Sequence, residues 1–160
     1  MLNTTNPITL SEANGQAPLI LSEANAQAPL IVACAVIHDT EKDMFLMGKR
    51  AAHKHNGGYW EFMGGKQDQE DKDIKATIER EIDEEIGVKG KAGEEVTRIV
   101  HSYINGPTVD LHFIEFTLPK NAEIKPDSEV YETVDWIKRN ELKDLNLSEG
   151  DKLFANTLVK

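Results

Sequence analysis

An α+β fold, with a mixed sheet and few helices packed on it, is the class this sequence predicts. Three observations predict it. The strand-like runs come in groups, in the order β-β-β-α-β-β-β-α, rather than in the regular βα alternation of a doubly wound fold. One helix, over residues 72–86, carries an unbroken apolar repeat. The chain of 160 residues is 39% hydrophobic and 29% charged, which fits one domain with a real core, either α+β or a sandwich of sheet and helices.

The chain opens on a tandem repeat. LSEANGQAPLI (Leu10 to Ile20) is followed by LSEANAQAPLI (Leu21 to Ile31), and ten of the eleven positions match, with Gly15 facing Ala26. Two copies are too few for a solenoid. Residues 1–28 therefore read as a duplicated N-terminal extension or an added partner-binding arm, polar, rich in small residues and expected to be mobile. The second copy runs into LIVACAVIHD (Leu30 to Asp39), an apolar run that predicts a buried strand. Met44 to Arg50 reads as a second strand and a hairpin partner of the first. A loop, Ala51 to Gly58, leads to a short strand over Tyr59 to Met63 and then to Gly64 and Gly65.

Ile74, Ile78, Ile82 and Ile86 recur every fourth residue and make one face of the helix apolar. Asp71 is expected to cap its start, Asp73 suits its first turn, and Gly87 is placed to stop it. Glu95 to Ile104 and Val109 to Leu118 read as strands joined by the turn Asn105-Gly106-Pro107. Val130 to Ile137 is a further strand, with Trp136 as a core or pocket residue, and Asn140 to Leu145 and Ser148 to Val159 read as helical.

Acidic residues outnumber basic ones 28 to 18, a formal charge of −10. Duplex nucleic acid, which needs a basic footprint, is excluded as a partner. No apolar run approaches the roughly 20 residues of a membrane span. Cys34, the single cysteine, has no internal disulfide partner, and a cytoplasmic protein is the simplest reading.

The chemistry concentrates in WEFMGGKQDQEDKDIKATIEREIDEEIGV, Trp60 to Val88. On a helix, Glu85 lies about 40° to one side of Glu81 and Glu84 about 60° to the other. Like charges so placed repel. They suit either a solvated acidic face or a hard divalent cation, which takes oxygen ligands from carboxylates, water and phosphates. The glycine pair before the helix allows a sharp bend or a close approach to a ligand.

Residues 65–88 resemble the Nudix box, G-x5-E-x7-R-E-U-x-E-E-x-G-U, where U is a bulky aliphatic. Arg80-Glu81-Ile82-Asp83-Glu84-Glu85-Ile86-Gly87-Val88 matches its C-terminal half in full. The N-terminal half departs from it. Asp71 stands where the first glutamate is expected, with eight residues rather than seven separating it from Arg80; Glu70 is the alternative. WEFMGGK is similar to the WEFPGGK segment of the MutT-type branch, with Met63 in place of proline. The resemblance covers residues 29–160.

It implies a mixed-sheet α/β/α sandwich and an enzyme that hydrolyses a nucleoside diphosphate linked to another group. Glu81, Glu84, Glu85 and the carbonyl of Gly65 would bind Mg2+, with Mn2+ as a substitute, and Arg80 would orient Glu81. The implied MutT-type reaction takes a nucleoside triphosphate, oxidised dGTP among the candidates, to a monophosphate and pyrophosphate. ADP-ribose, a nucleotide sugar and a non-catalytic nucleotide sensor are the alternatives. The general base is Glu84, Glu129, Glu132 or Asp135. Arg50 is placed to meet base or phosphate, and Asp151 to read a base edge. Phe62, Phe113 and Trp136 are either base-packing or core aromatics. His53 and His55 form an H-x-H pattern in a polar loop. The partner is a small nucleotide, and monomer and homodimer both remain open.

Overall fold

The computed structural model describes residues 8–9, 20–21 and 27–159. Ile8–Thr9 (β1) and Ile20–Leu21 (β2) pair antiparallel in the extension. Residues 1–7, 10–19 and 22–26, and with them the expectation of mobility, lie outside the described residues, whereas the end of the second repeat, Leu30 and Ile31, opens a strand of the domain.

Two sheets form the domain. One has the order β7-β3-β9-β8, built from Leu30–Val36 (β3), Gly64–Lys66 (β7), Lys91–Ser102 (β8) and Thr108–Thr117 (β9). It is mixed: β3 runs parallel to β9 and antiparallel to β7. The other is antiparallel. Met44–Arg50 (β5) pairs with Tyr131–Lys138 (β10) on one side and with His38–Asp39 (β4) and Trp60–Glu61 (β6) on the other.

The expected hairpin between the first two long strands is therefore only partly present. The chain leaves the first sheet after Val36, and only β4 pairs with β5, helped by the Leu46 N–H donating to the Ile37 carbonyl at 3.0 Å. The expected strand over 59–63 divides in the same way. Its first part, β6, belongs to the antiparallel sheet, whereas the Met63 carbonyl already accepts from Ala35 N–H at 2.7 Å on the way into β7. Residues 60–66 thus stitch the two sheets together.

Helix α1, Ile74–Ile86, lies on one side. Its Ile78, Ile82 and Ile86 are fully buried against Ala33 and Ala35 of β3, Met63, Ile114 and Phe116. The intervening β3 residues, Cys34 and Val36, point to a second core with Phe62, Phe113 and Phe154, the last from helix α2, Glu149–Leu158. A strand covered on both faces reads as a continuous apolar run, which is why Leu30 to Val36 does not alternate. Phe113 and Ile114 of β9 likewise enter different cores, since successive strand residues point to opposite faces. The segment expected to be helical at 140–145 is a 3-10 helix, Arg139–Asp144.

The cap differs from expectation. Asp73, not Asp71, is the N-cap of α1, and its carboxylate accepts from Ala76 N–H at 2.8 Å. Gly87 ends the helix in the left-handed region at φ 68°, donating to the Asp83 carbonyl.

Gly64 is fixed by the closeness of β7 to β3, since a Cβ there would stand 1.8 Å from the Ala33 carbonyl oxygen. Gly64→Ala should separate these strands and lower stability by at least ~2 kcal/mol in urea unfolding.

Candidate active site

The site begins at the turn before α1. Asp71 lies two residues ahead of the cap, its carboxylate held by Asp68 N–H at 2.8 Å and Thr77 Oγ1 at 3.0 Å. So fixed, it accepts two parallel bonds from Arg80, from Nε at 2.8 Å and Nη2 at 2.9 Å. Asp71 is thus the acid that supports Arg80, whereas Glu70 is exposed. The residue added to the loop is absorbed in the Asp68–Asp71 turn, closed by a 3.1 Å backbone bond. The Arg80 side of this pair, together with Thr77, keeps the Asp71 carboxyl well below the usual carboxylate range.

Arg80 spends its remaining donors on the site. Nη2 also donates to the Lys66 carbonyl at 3.1 Å, and Nη1 donates to Glu81 at 2.9 Å and to Glu84 at 3.3 Å. Glu81 is drawn against the glycine turn, where a Cβ on Gly65 would lie 2.4 Å from its carboxyl carbon. A side chain at 65 would therefore fill the space the carboxylate occupies. Glu84 stands in solvent, its side chain 61% exposed.

Glu85 turns the other way, into the interior. It meets the Tyr131 hydroxyl at 2.9 Å, and the same hydroxyl meets Glu61 at 3.1 Å. Glu61 in turn accepts from Arg50 Nη1 at 3.0 Å, and Arg50 Nε donates to the His55 carbonyl. A phenol has one proton and can donate to only one of two carboxyls. A proton on Glu85 completes the second bond. Burial first, and the charges of Glu61 and Glu81 after it, push the Glu85 carboxyl up to about 9. Burial raises the Glu61 carboxyl as well, opposed by Arg50.

Beside this chain lies a cavity of about 250 Å³. Arg50, Glu61, Gly65 and Lys66 line it, as do Asp151 and the apolar Leu30, Val32 and Leu111. Asp151 is buried, and its Oδ1 accepts from Phe62 N–H at 2.9 Å. Burial, followed by the charge of Glu61, pushes its carboxyl well up.

Among the residues singled out in the sequence, Arg50, Gly65 and Asp151 line the cavity, Arg80 and Glu81 pack on its glycine turn, Arg80 also holds Glu84, and Glu85 joins through Tyr131 and Glu61. Phe62 contributes its backbone; its ring is core, 5.0 Å from Phe154 and 5.7 Å from Phe113. Asp135 is not brought to the cavity. It is exposed on β10, opposite Met47, and accepts from the next backbone N–H. Glu132 and Glu129 are also exposed, facing Lys49 and His53. Trp136 packs by the other core, beside Leu118 and Ile124.

Glu61 and Tyr131 were missed. The signal was a glutamate set between Trp60 and Phe62 in a strand bound for the interior, where a charge needs a partner.

Among the described residues no three acidic, histidine or cysteine side chains converge as a ready metal cluster. The donor set nonetheless suits a hard divalent cation. It is all oxygen, it borders a glycine turn without side chains, and its buried carboxyls repel one another. Arg80 holds Glu84 and Tyr131 holds Glu85, so ligation by all three glutamates uses rotamers other than these.

A two-sheet sandwich whose glycine turn and acid-rich helix are locked by one arginine defines a Nudix-type domain. The NUDIX domain family matches residues 28–158, and the chain belongs to that family. Over 57 residues it is 39% identical to an 8-oxo-dGTP diphosphatase of Proteus vulgaris, a stretch covering 36% of this chain and 49% of that protein. The match thus spans about half the length of this relative. The MutT protein of Methanosarcina mazei Go1 has the same fold, with a TM-score of 0.72 at 20% identity over 84% of this chain and 96% of that one. An ADP-ribose pyrophosphatase of Streptococcus suis 89-1591 superposes with a TM-score of 0.59 at 27% identity, covering 82% of this chain and 87% of that one. The α+β class and the MutT-type resemblance both hold.

Asp71→Asn should loosen Arg80 and cost roughly 1–2 kcal/mol at pH 7. The folded Asp71 carboxyl is depressed, so its contribution is complete above the unfolded value near ~4 and is lost as pH falls below it. Urea unfolding of the two proteins should therefore differ at pH 7 and converge as pH drops below about 4.

Proposed function

We propose that this protein is a divalent-metal-dependent pyrophosphohydrolase. It cleaves nucleoside triphosphates, 8-oxo-dGTP among them, to a nucleoside monophosphate and pyrophosphate. The observation that carries this reading is that the Arg80-locked glutamates pack on the glycine turn, whose Gly65 and Lys66 line the cavity that also holds Asp151. A phosphate chain reaching the glutamates leaves its nucleoside in that cavity. The name of the Proteus vulgaris relative supports the substrate, over the part of the chain it matches.

Mg2+, or Mn2+ in its place, would be held by Glu81, Glu84, Glu85 and the Gly65 carbonyl, and would neutralise the diphosphate and acidify a water. The chain's own groups do the rest. Arg80 fixes Glu81 and restrains Glu84 by charge-assisted bonds. Arg50, steadied by Glu61 and the His55 carbonyl, presents positive charge to an incoming phosphate. Tyr131 meets the Glu85 carboxyl, which would leave that hydroxyl on turning to a metal. We take Glu84, exposed on α1 beside Glu81, as the base for the attacking water, whereas Glu129, Glu132 and Asp135 lie on or just before β10. A cytoplasmic location agrees with the lone, buried Cys34. Among the described residues no helix is long and apolar enough to cross a membrane.

The test is a substrate panel with Mg2+: 8-oxo-dGTP, ordinary triphosphates, ADP-ribose and nucleotide sugars. Release of pyrophosphate from triphosphates is expected. Preferential turnover of ADP-ribose or a nucleotide sugar would move the protein to another branch of the family, and turnover of none would leave a nucleotide sensor. Glu84→Gln should lower turnover at least ~100-fold with an unchanged unfolding midpoint. Near-normal turnover would remove Glu84 from the mechanism.

A further inference from the structure

Glu85 differs from Glu81 and Glu84 in what holds it. A cation, Arg80, holds the other two. Glu85 is held in the interior by a neutral hydroxyl, that of Tyr131, at 2.9 Å. Tyr131 is 1% exposed, so its hydroxyl cannot exchange a lost partner for bulk water. Nor can the ring follow the carboxyl. It packs so closely on Gly48 of β5 that a Cβ there would stand 2.6 Å from a ring carbon. Its backbone is tied to the end of α1 as well: Tyr131 N–H donates to the Asp127 carbonyl at 2.9 Å, and Asp127 N–H donates to the Glu85 carbonyl at 2.8 Å. The hydroxyl therefore has a fixed place, and it shares that place with Glu61 at 3.1 Å.

Among the described residues no three acidic side chains converge, so Glu81, Glu84 and Glu85 can join on one cation only if a carboxyl moves. Glu81 already lies against the glycine turn, and Glu84 can turn within solvent. Glu85 has to break an interior bond. While it points inward, the hydroxyl serves two carboxyls; once it turns away, the hydroxyl serves Glu61 alone. The broken bond is not replaced by water, so its free energy subtracts from the affinity for the cation.

We propose that Tyr131 is a positioning residue whose hydroxyl latches Glu85 inward, competes with a divalent cation for that carboxyl and so weakens cation binding. The inference rests on the divalent-metal reading of the glutamates and on no particular substrate. Phenylalanine at 131 would keep the ring on Gly48 and make neither bond. Cation binding then breaks one hydrogen bond in the wild type and none in Tyr131→Phe. A hydroxyl that instead held Glu85 ready for the metal would act with the opposite sign, since losing a group that orients a ligand lowers metal affinity.

The experiment titrates Mn2+ into the full chain without nucleotide and reads unbound Mn2+ by electron paramagnetic resonance, for the wild type, Tyr131→Phe, Glu85→Gln and the double variant. Tyr131→Phe should bind Mn2+ roughly three- to tenfold more tightly, the worth of one hydrogen bond. In the Glu85→Gln background the same change should leave the affinity unaltered. A second measurement does not depend on the folding of Tyr131→Phe. Mg2+ added to the wild type should shift the near-ultraviolet tyrosine absorption, as the hydroxyl passes from two partners to one, and Glu85→Gln should abolish that shift. Unchanged or weaker Mn2+ binding by Tyr131→Phe, a gain that persists in Glu85→Gln, or a tyrosine band that Mg2+ leaves unmoved would each overturn the proposal. A wild type that binds no Mn2+ would overturn the metal reading with it. Unaltered Mn2+ affinity in Tyr131→Phe, beside metal-dependent turnover by the wild type, would sink the latch and leave the proposed reaction standing. Tighter Mn2+ binding by Tyr131→Phe, in a chain that turns over no nucleotide, would do the reverse.

Discussion

The Arg80 guanidinium is the constraint on which the site depends. It joins the loop before α1, through Asp71, to the glycine turn, through the Lys66 carbonyl, and to the helix itself, through Glu81 and Glu84. Arginine suits this task because its donors form a rigid, planar fork with no protonation equilibrium near neutrality. One edge is used for the two bonds to Asp71, and what remains faces the carboxylates. Like charges so close on one helix would otherwise spread apart.

A second chain of contacts runs at right angles to the first in its logic. Arg50 comes from β5, Glu61 from β6, Tyr131 from β10 and Glu85 from α1, so the hydrogen bonds among them tie the antiparallel sheet to the helix lying on the mixed one. Polar networks in a low-dielectric interior hold only when each member is satisfied. Here the Tyr131 hydroxyl is shared between Glu61 and Glu85, and Arg50 meets Glu61 from the other side. The inner wall of the site is thereby fixed to both sheets, while Glu84 stays in solvent. The two glutamates, adjacent in sequence, are divided between structure and solvent by the 100° step of the helix.

The glycine pair links these systems to the fold. Gly64 lets β7 approach β3, and Gly65 lets Glu81 lie against the turn. The same segment passes from one sheet to the other, so the packing that closes the sandwich also sets the height of the turn beneath the helix. The cavity opens where this crossing meets the start of α2, with Asp151 anchored on Phe62 N–H.

Much of this was legible in the sequence, because it is local. The isoleucine repeat fixed the helix and its buried face, and the Arg80 to Gly87 spacing put an arginine and three glutamates within two turns. The strand order was readable from apolar runs and turn residues. What the chain order could not reveal was the long-range pairing. Asp71 and Asp73 looked interchangeable as caps until the turn at 68–71 assigned one to Arg80 and the other to the helix. The first hairpin dissolved into two sheets, since an apolar run covered on both faces carries no mark of where it changes partner. Asp135 looked like a site residue by its place in the chain, but the pleat of β10 turns it to solvent. Glu61 and Tyr131 gained their significance only from neighbours 11 and 46 positions away, Arg50 for the first and Glu85 for the second. Sequence by itself determined the helix, its charge and its metal-suited chemistry. Tertiary structure decided which acids face inward, which are paired and where the cavity lies, because burial and partner distance are properties of the folded chain alone.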